Sequence, residues 1–388
     1  MITIRRQLLG LGFVAASSLL ALHAAQALTG PQAITIDGGP LGSLSLSGGA
    51  DGYGYVATDT YNGEQNEGFD VGSALIELQK TTGVVQFTAE VGSNSYVTLG
   101  ALSEDGHGHI PETSINTYST GPLFLGYVTI APPNSPVTVS AGEIGSLEGY
   151  ESTVDWNDPT QLTTDAFYVE NSNSVGVEVA GTEGPVTATV AFGDGFDSGQ
   201  WNYIQALVAY TINSNNVLNV FGGYNLGRTG PGAFVYGGGQ AGTPTVYENS
   251  NAVGAYYSYT LGNLNLVPEV QYVYAKVDHI VGIDKSTSNL ALEGFADYAF
   301  ANTPYSLGGW VEAEKSTGRY NWFAGPNSEA IGVAIAPTWQ YKDLFARVNA
   351  GALYLLSNKY DGAVSYGYGS GGTSKFQFTG TLEGGLLF

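Results

Sequence analysis

Apolar and polar residues alternate with a period of two along most of this chain, and no other feature restricts its fold so strongly. In the segment 83–91, GVVQFTAEV, the apolar Val85 and Phe87 flank the polar Gln86. A period of two places successive side chains on opposite faces of an extended strand, whereas a helix requires a period of 3.6. The sequence therefore predicts an all-β protein.

About sixteen alternating segments can be counted, and the connections between them are alternately short and long. The short ones include 262–263 and 342–343, whereas the long ones include 100–121 and 143–172. Short turns at one end and long loops at the other are typical of a transmembrane antiparallel β-barrel, with short periplasmic turns and long extracellular loops. The predicted strands span 43–57, 68–80, 83–99, 122–131, 136–143, 173–182, 185–194, 203–213, 217–228, 250–261, 264–276, 288–300, 304–315, 328–341, 344–356 and 373–388.

The scarcity of charge supports a membrane barrel over a soluble β-protein. Charged residues make up 12% of the chain, against about 25% in a typical soluble domain. Lipid offers no hydrogen bonds, so a spanning sheet must close on itself and turn its apolar face outward. A soluble sandwich or propeller would account for the alternation, but not for the low charge or the short and long rhythm.

The first 27 residues have the features of a secretory signal peptide. Arg5 and Arg6 precede an apolar run from 8 to 22, and the chain then reaches the small-residue motif Ala25-Gln26-Ala27. Cleavage after Ala27 would leave 28–388 as one barrel domain with both ends in the periplasm. The alternative is that this segment is retained as a membrane anchor. A secretory signal followed by a barrel pattern leads us to expect the protein in the bacterial outer membrane.

The charge balance excludes some partners. Without Arg5 and Arg6, 10 basic residues stand against 34 acidic ones. Such a chain would repel nucleic acid and anionic lipid headgroups. It favours cations as partners, or an acidic setting in which part of the carboxylate charge is neutralised.

Sorting the strand residues by face predicts an acidic lumen. Arg347 is the basic residue that we place in mid-strand on an inward face. A lumen lined by one sign of charge concentrates counter-ions, which predicts a water-filled pore that prefers cations. Alternatively, the carboxylates only hydrate the lumen. The predicted inward acidic residues are Glu77, Glu90, Glu178, Glu269, Glu293, Asp297, Glu312, Glu314 and Glu383.

With these features the chain resembles Gram-negative outer-membrane porins of the sixteen-stranded kind. It is also similar to β-barrel porin families in which a strand runs into a glycine and a Gly-Tyr-Glu triplet, here VSAGEIGSLEGYES at 139–152. The resemblance implies that the loop after the fifth strand, 143–172, is a constriction loop folded into the barrel. General porins set a cluster of arginines across from this loop, whereas here Arg347 stands alone. The acidic residues of the loop are Glu143, Glu148, Glu151, Asp155, Asp158, Asp165 and Glu170.

The resemblance also gives the end of the chain a role. The last segment, KFQFTGTLEGGLLF, places Phe378, Leu386 and the terminal Phe388 on its outer face. In porins the barrel-assembly machinery recognises a final strand that ends on an aromatic residue. The resemblance therefore implies that these three residues form an assembly signal. Outer-membrane lipid and, by analogy, two further copies in a homotrimer are the other expected partners.

The expected function is passive diffusion of ions and small hydrophilic solutes, without a chemical step. The sequence predicts no enzyme activity, cofactor or metal, because no histidine is placed beside a nucleophile in the predicted strands. Two alternatives remain open. One is a solute-specific channel with an aromatic track, and the other is a plugged barrel with a structural or surface role. The candidate track residues are Trp310, Tyr256, Phe221 and Phe295.

Overall fold

The strands of the barrel are taken from a computed structural model that covers most of the chain. It describes residues 28–60, 65–100, 112–114, 123–171, 173–196, 198–229, 245–318, 327–360, 364–365, 367–370 and 372–388. The predicted signal peptide, 1–27, lies outside the described residues.

Sixteen long strands in this part of the chain form one antiparallel sheet that closes on itself. Each strand pairs with the next, and the last pairs with the first, with Gly49 opposite Leu387 and Ala57 opposite Thr379. The predicted all-β, sixteen-stranded barrel is confirmed. Its strands are β1 (Ser43–Ala57), β2 (Glu67–Lys80), β3 (Val85–Thr98), β4 (Leu123–Ile130), β5 (Val137–Ile144), β6 (Ser174–Glu183), β7 (Val186–Gly193), β8 (Tyr203–Asn213), β9 (Asn216–Asn225), β10 (Ser250–Leu261), β11 (Leu264–Ala275), β12 (Thr287–Ala299), β13 (Tyr305–Thr317), β14 (Ser328–Tyr341), β15 (Leu344–Tyr360) and β16 (Phe376–Leu387).

Shorter elements lie between and beside these strands. No helix in the described ranges is long and apolar enough to cross a membrane. The described residues also form four short strand segments, Ile34–Asp37, Glu112–Ser114, Leu162–Thr163 and Val364–Ser365, and two 3-10 turns, Gly39–Leu41 and Asp155–Asn157. Two single-turn helices in the same residues are α1 (Asp165–Tyr168) and α2 (Thr245–Glu248).

The alternation of the sequence becomes the two faces of the wall. In β13, Val311 is 58% exposed on the outside while the next residue, Glu312, is 4% exposed on the inside. Apolar side chains therefore meet lipid and polar side chains meet the lumen, while the closed ladder satisfies the backbone of every strand. Short turns join the strands at the periplasmic end, where Gly262 and Lys342 take left-handed φ values of 62° and 54°.

The upper end of β3 departs from the prediction that 83–99 is a wall strand throughout. Its pairing with β2 and β4 ends at Ser93 and Val91 respectively. Beyond that point, Val97 and Thr98 pair in parallel with Leu162–Thr163, a segment of the loop after β5. Gly92 has a φ of 144°, which residues with a Cβ rarely adopt, and this lets the strand turn away from its neighbours.

The first described residues are held at the periplasmic end of the barrel. Leu28 is fully buried in a cluster that includes Phe345 and Leu387. The Thr29 N–H donates to Gln340 Oε1 at 2.7 Å, and Gln340 Nε2 donates back to the Thr29 carbonyl at 2.8 Å. Period-two patterning gives no sign of this contact, because residues 28 and 29 lie before the first strand.

Candidate functional site: an acidic loop inside the barrel

The chain between β5 and β6, residues 145–173, enters the barrel and reaches the opposite wall; we call it the inner loop. On β13, Trp310 Nε1 donates to the Leu162 carbonyl at 2.7 Å and to Thr160 Oγ1 at 3.0 Å. On β15, Asn349 Oδ1 accepts from the Gln161 N–H at 2.9 Å. The predicted limits of 143–172 need correction, because Glu143 still belongs to β5.

Short-range hydrogen bonds give the inner loop its shape. Thr164 caps α1 by accepting the Phe167 N–H at 3.2 Å, and the Glu151 carboxylate accepts both the N–H and the hydroxyl of Thr164. Asp158 Oδ1 accepts the Ser152 N–H at 2.9 Å. These side chains satisfy backbone groups that have no strand partner inside the barrel, which is what allows an irregular segment to lie there.

Arg347 joins the inner loop to the wall. Its Nε donates to Glu383 Oε2 at 2.7 Å and its Nη2 to Oε1 at 3.1 Å, a bidentate pair with both side chains fully buried. The same guanidinium donates at 3.0 Å to the carbonyls of Asp158 and Asp155 in the inner loop. Among the described residues, Arg347 is the one basic side chain in the buried set.

The predicted wall residues all lie on inward positions of their strands. Glu269, Glu293 and Glu312 are paired in register across β11, β12 and β13, which sets three carboxylates side by side. Glu77 and Glu90 face each other across β2 and β3 and are half-buried. The buried wall residues are Glu178, Glu269, Glu293, Asp297, Glu312, Glu314, Arg347 and Glu383.

The acidic residues of the inner loop face this acidic wall. Glu148 accepts the Tyr203 hydroxyl at 2.7 Å and the Asn171 N–H at 3.1 Å, and Asp155 accepts the Ser73 hydroxyl at 3.0 Å. Burial raises the pKa of Asp155 to about 7. Burial, the largest cause in each case, also raises the pKa of Glu148, Glu151, Asp158, Asp165 and Glu170.

Asp51 is a lumen residue that sequence reasoning missed. It accepts the Ser73 N–H at 3.0 Å, and its carboxylate lies within 4.8 Å of those of Asp155 and Glu383. The polar Ser45 and Ser47 at the odd positions of β1 were a signal for an inward face. Four glycines in the same strand weakened that signal, because a glycine belongs to neither face.

A comparison of the sequence with models of protein families gives a match that spans all sixteen strands of the barrel. Residues 43–388 match the model of a family described as "Putative beta-barrel porin-2, OmpL-like". The chain belongs to this porin family. Family and fold together place the porin in the outer membrane.

Solved porin structures share the fold at low sequence identity. The anion-selective porin from Comamonas acidovorans is 12% identical with a TM-score of 0.59, covering 89% of this chain and 99% of that one. The outer-membrane expressed OmpT of Vibrio cholerae is 11% identical with a TM-score of 0.54, covering 89% and 98%. Salmonella typhi OmpF, in complex with daunomycin, is 12% identical with a TM-score of 0.53, covering 92% and 100%. A search of curated proteins gives no match.

Three of the four aromatic residues considered for a solute track in this porin contact the inner loop. The ring of Tyr150, in the loop, lies 5.0 Å from that of Phe295 and 5.8 Å from that of Tyr256, measured between centroids. Phe221 packs against Tyr256 at 6.2 Å, and Trp310 holds the loop as described above. Tyr256, Phe295 and Trp310 therefore support the loop directly, and Phe221 supports Tyr256.

The last residue of the porin belongs to the seam of the barrel. The Phe388 N–H donates to the Gly48 carbonyl and the Gly48 N–H to the Phe388 carbonyl, both at 2.9 Å. Phe378 and Leu386 lie on the outer face of β16, with Leu386 42% exposed. The three residues named for the assembly signal therefore share the closing strand and its immediate end.

Proposed function

We propose that this porin is a passive diffusion channel for ions and small hydrophilic solutes, narrowed by the inner loop and preferring cations. The observation that carries the proposal is the acidic loop that crosses the lumen and faces an acidic wall. The proposed transport involves no covalent step, and we therefore also propose that the protein is not an enzyme.

The anchoring of the inner loop supports a fixed constriction. Trp310 on β13, Asn349 on β15 and Thr381 on β16 each hydrogen-bond to the segment 160–162. Contacts on three strands hold the loop in one position, so that the remaining space on either side would set the size limit for solutes.

The charge of the lumen supports the preference for cations. The one buried guanidinium in the described residues, that of Arg347, is already paired with Glu383. The other buried carboxylates therefore dominate the field that an ion meets in the lumen. The Comamonas porin is described as anion-selective, and the acidic lumen of the present chain favours the opposite preference.

Planar-bilayer recording tests the channel itself. Purified barrel should give stepwise currents that grow with salt concentration. A variant in which 152–168 is replaced by a short Gly-Ser linker should give larger steps, because the contacts with the far wall are lost. Folded barrel that inserts but gives no current would contradict the proposal.

A plugged structural barrel is the second candidate, and one observation favours it. Leu162 of the inner loop is fully buried in an apolar cluster with Val97, Leu99 and Leu353. An apolar contact of this kind in mid-lumen excludes water locally. Inserted wild-type barrel without current, combined with current through the loop-replaced variant, would favour this candidate over the channel.

A homotrimer is proposed as the assembled form. Small residues are paired on the outer wall of β15 and β16, with Ala346 opposite Gly384 and Ala350 opposite Gly380, and they leave a flat surface for close approach. One solved form of Vibrio cholerae OmpT is described as a trimer. Native gels before and after heating should show a shift from about three chains to one, whereas a single unshifted band at the size of one chain would contradict the trimer.

A further inference from the structure

Three carboxylates meet where α1 of the inner loop docks on β13. They belong to Asp165 in the loop and to Glu312 and Glu314 on the wall, and one oxygen from each lies within 4.8 Å of the others. Asp165 is fully buried, and the two glutamates are 4% exposed. We call this group the Asp165 cluster.

The cluster has carboxylate oxygens that no hydrogen-bond donor in the described part of the chain satisfies. The Asp165 N–H donates to Glu312 Oε2 at 3.1 Å, and Asn289 Nδ2 donates to Glu314 Oε2 at 2.7 Å, so each glutamate is held by one oxygen. Both carboxylate oxygens of Asp165 have no hydrogen-bond partner among the described residues. Glu312 and Glu314 otherwise contact each other, in a hydrogen bond that requires one of them to carry a proton. Buried oxygens of this kind ordinarily have a partner.

The charge of the cluster is also unbalanced. The charged groups that act on Asp165 most strongly are Glu312 and Glu151, both acidic. Lys315 follows Glu314 in sequence but lies on the outer face, where it is 60% exposed and pairs with Glu329. A second group of three close carboxylates in the described residues, Asp51 with Asp155 and Glu383, differs because Arg347 binds it directly.

We propose that the Asp165 cluster binds one calcium ion. Carboxylate oxygens are hard donors suited to Ca²⁺, at distances of about 2.3–2.6 Å. Two such ligands on opposite sides of one ion lie about 5 Å apart, so oxygens within 4.8 Å of one another can share it. Mg²⁺ requires about 2.0–2.1 Å and keeps several waters, which fits a wide, all-carboxylate group less well.

A bound ion would add a second charged connection between the inner loop and the wall. Asp165 begins α1 and the two glutamates belong to β13, so one Ca²⁺ connects both elements. Arg347 makes the other charged connection, through its guanidinium. The Asp165 cluster and the group of Asp51, Asp155 and Glu383 would thus be neutralised by different cations, one supplied by the medium and one by the chain.

Calorimetric titration of the folded barrel with Ca²⁺ tests the proposal. Chelator-treated protein in detergent at pH 7.5 should bind one Ca²⁺ per chain. Asp165→Asn and Glu314→Gln should each weaken binding by about tenfold or more, because affinity follows the number of charged ligands. Asp51→Asn is the matched control, since it removes a buried carboxylate from the group that Arg347 neutralises. It should leave the affinity for Ca²⁺ unchanged.

The titration is interpreted only for variants that fold, and a thermal measurement accompanies it. Heat-dependent gel mobility should confirm that every variant is a closed barrel before titration. Ca²⁺ should then raise the midpoint temperature of thermal unfolding of the wild type and of Asp51→Asn, but not of Asp165→Asn. No saturable binding by folded wild type would overturn the proposal and would leave protons to neutralise the cluster. Binding of equal strength in Asp165→Asn would overturn it as well, whatever the conductance of the channel.

Discussion

At the scale of single residues, Arg347 connects the barrel wall to the inner loop. Replacing it with alanine leaves Glu383 buried without its partner and removes two hydrogen bonds to the loop. Breaking a buried ion pair from one side costs about 3–5 kcal/mol. We therefore expect Arg347→Ala to lower the midpoint of urea-induced unfolding clearly, as followed by tryptophan fluorescence.

Lys315→Ala is the control for that measurement. Lys315 also pairs with a glutamate, but its side chain is 60% exposed on the outer wall. Exposed ion pairs contribute little to the free energy of unfolding. The unfolding midpoint of Lys315→Ala should therefore stay close to that of the wild type. Equal midpoints for Arg347→Ala and Lys315→Ala would contradict the anchoring role.

Asp155 makes the docking of the inner loop depend on pH. Burial raises its pKa to about 7, the charge of Glu383 adds to this shift, and Arg347 opposes it; Asp51 also lies in the same group. The docked loop therefore holds a proton that a released loop, with an ordinary carboxyl pKa of about 3.9, would lose. The resulting stability of docking is fully present below pH about 4 and is lost as pH rises through about 7.

Single-channel recording between pH 5 and pH 8 checks this expectation. Conductance and current noise should rise with pH as the loop loosens, and Asp155→Asn should make that rise smaller, because its amide cannot ionise. A conductance that falls as pH rises, or an equal rise in Asp155→Asn, would show that Asp155 does not control the docking.

At the scale of elements, the inner loop needs a gap in the wall at Gly308 of β13. A Cβ at this position would lie 1.9 Å from the carbonyl oxygen of Pro159, which is far inside contact distance. Gly308→Ala should therefore push the loop away from β13 and raise the single-channel conductance. Because the Pro159 backbone cannot move aside as a flexible side chain would, the effect should be large for a single methyl group.

Gly294→Ala on the adjacent strand is the matched substitution. Its Cβ would meet Val311 at 3.6 Å, an ordinary contact on the outer side. Its conductance should equal that of the wild type. If Gly308→Ala also left the conductance unchanged in a folded barrel, the inner loop would not limit the current.

Strands and loop differ in how far the sequence predicts them. Predicted strands such as 203–213 and 328–341 agree with β8 and β14 at both ends, because lipid and water impose alternation residue by residue. The docking of the inner loop depends instead on pairs distant in sequence, such as Trp310 with Leu162, and periodicity carries no information about these. For the same reason the alternation predicts neither the contact of Trp310 with the inner loop nor the turn of β3 at Gly92.

At the scale of the whole molecule, the barrel closes at the end of the chain. Phe388 exchanges backbone hydrogen bonds with Gly48 next to the pairing of β16 with β1. Deleting Phe388 removes these bonds and the terminal aromatic, so less folded barrel should reach the outer membrane. Heat-modifiable protein in outer-membrane fractions measures this amount.

Phe376→Ala is the control for the deletion, because it removes an exposed aromatic from the opposite end of β16. We expect its membrane level to match the wild type. Equal amounts of folded barrel with and without Phe388 would contradict a role for the terminal residue in assembly.

The acidic lumen is the property from which the proposed function follows, and the reversal potential tests it most directly. In a tenfold KCl gradient at pH 7, wild-type channels should show a reversal potential of the sign that K⁺ permeation produces. Glu269→Gln combined with Glu293→Gln should move it towards zero, because these two carboxylates stand side by side on the wall. A reversal potential of the sign that Cl⁻ permeation produces would contradict the account.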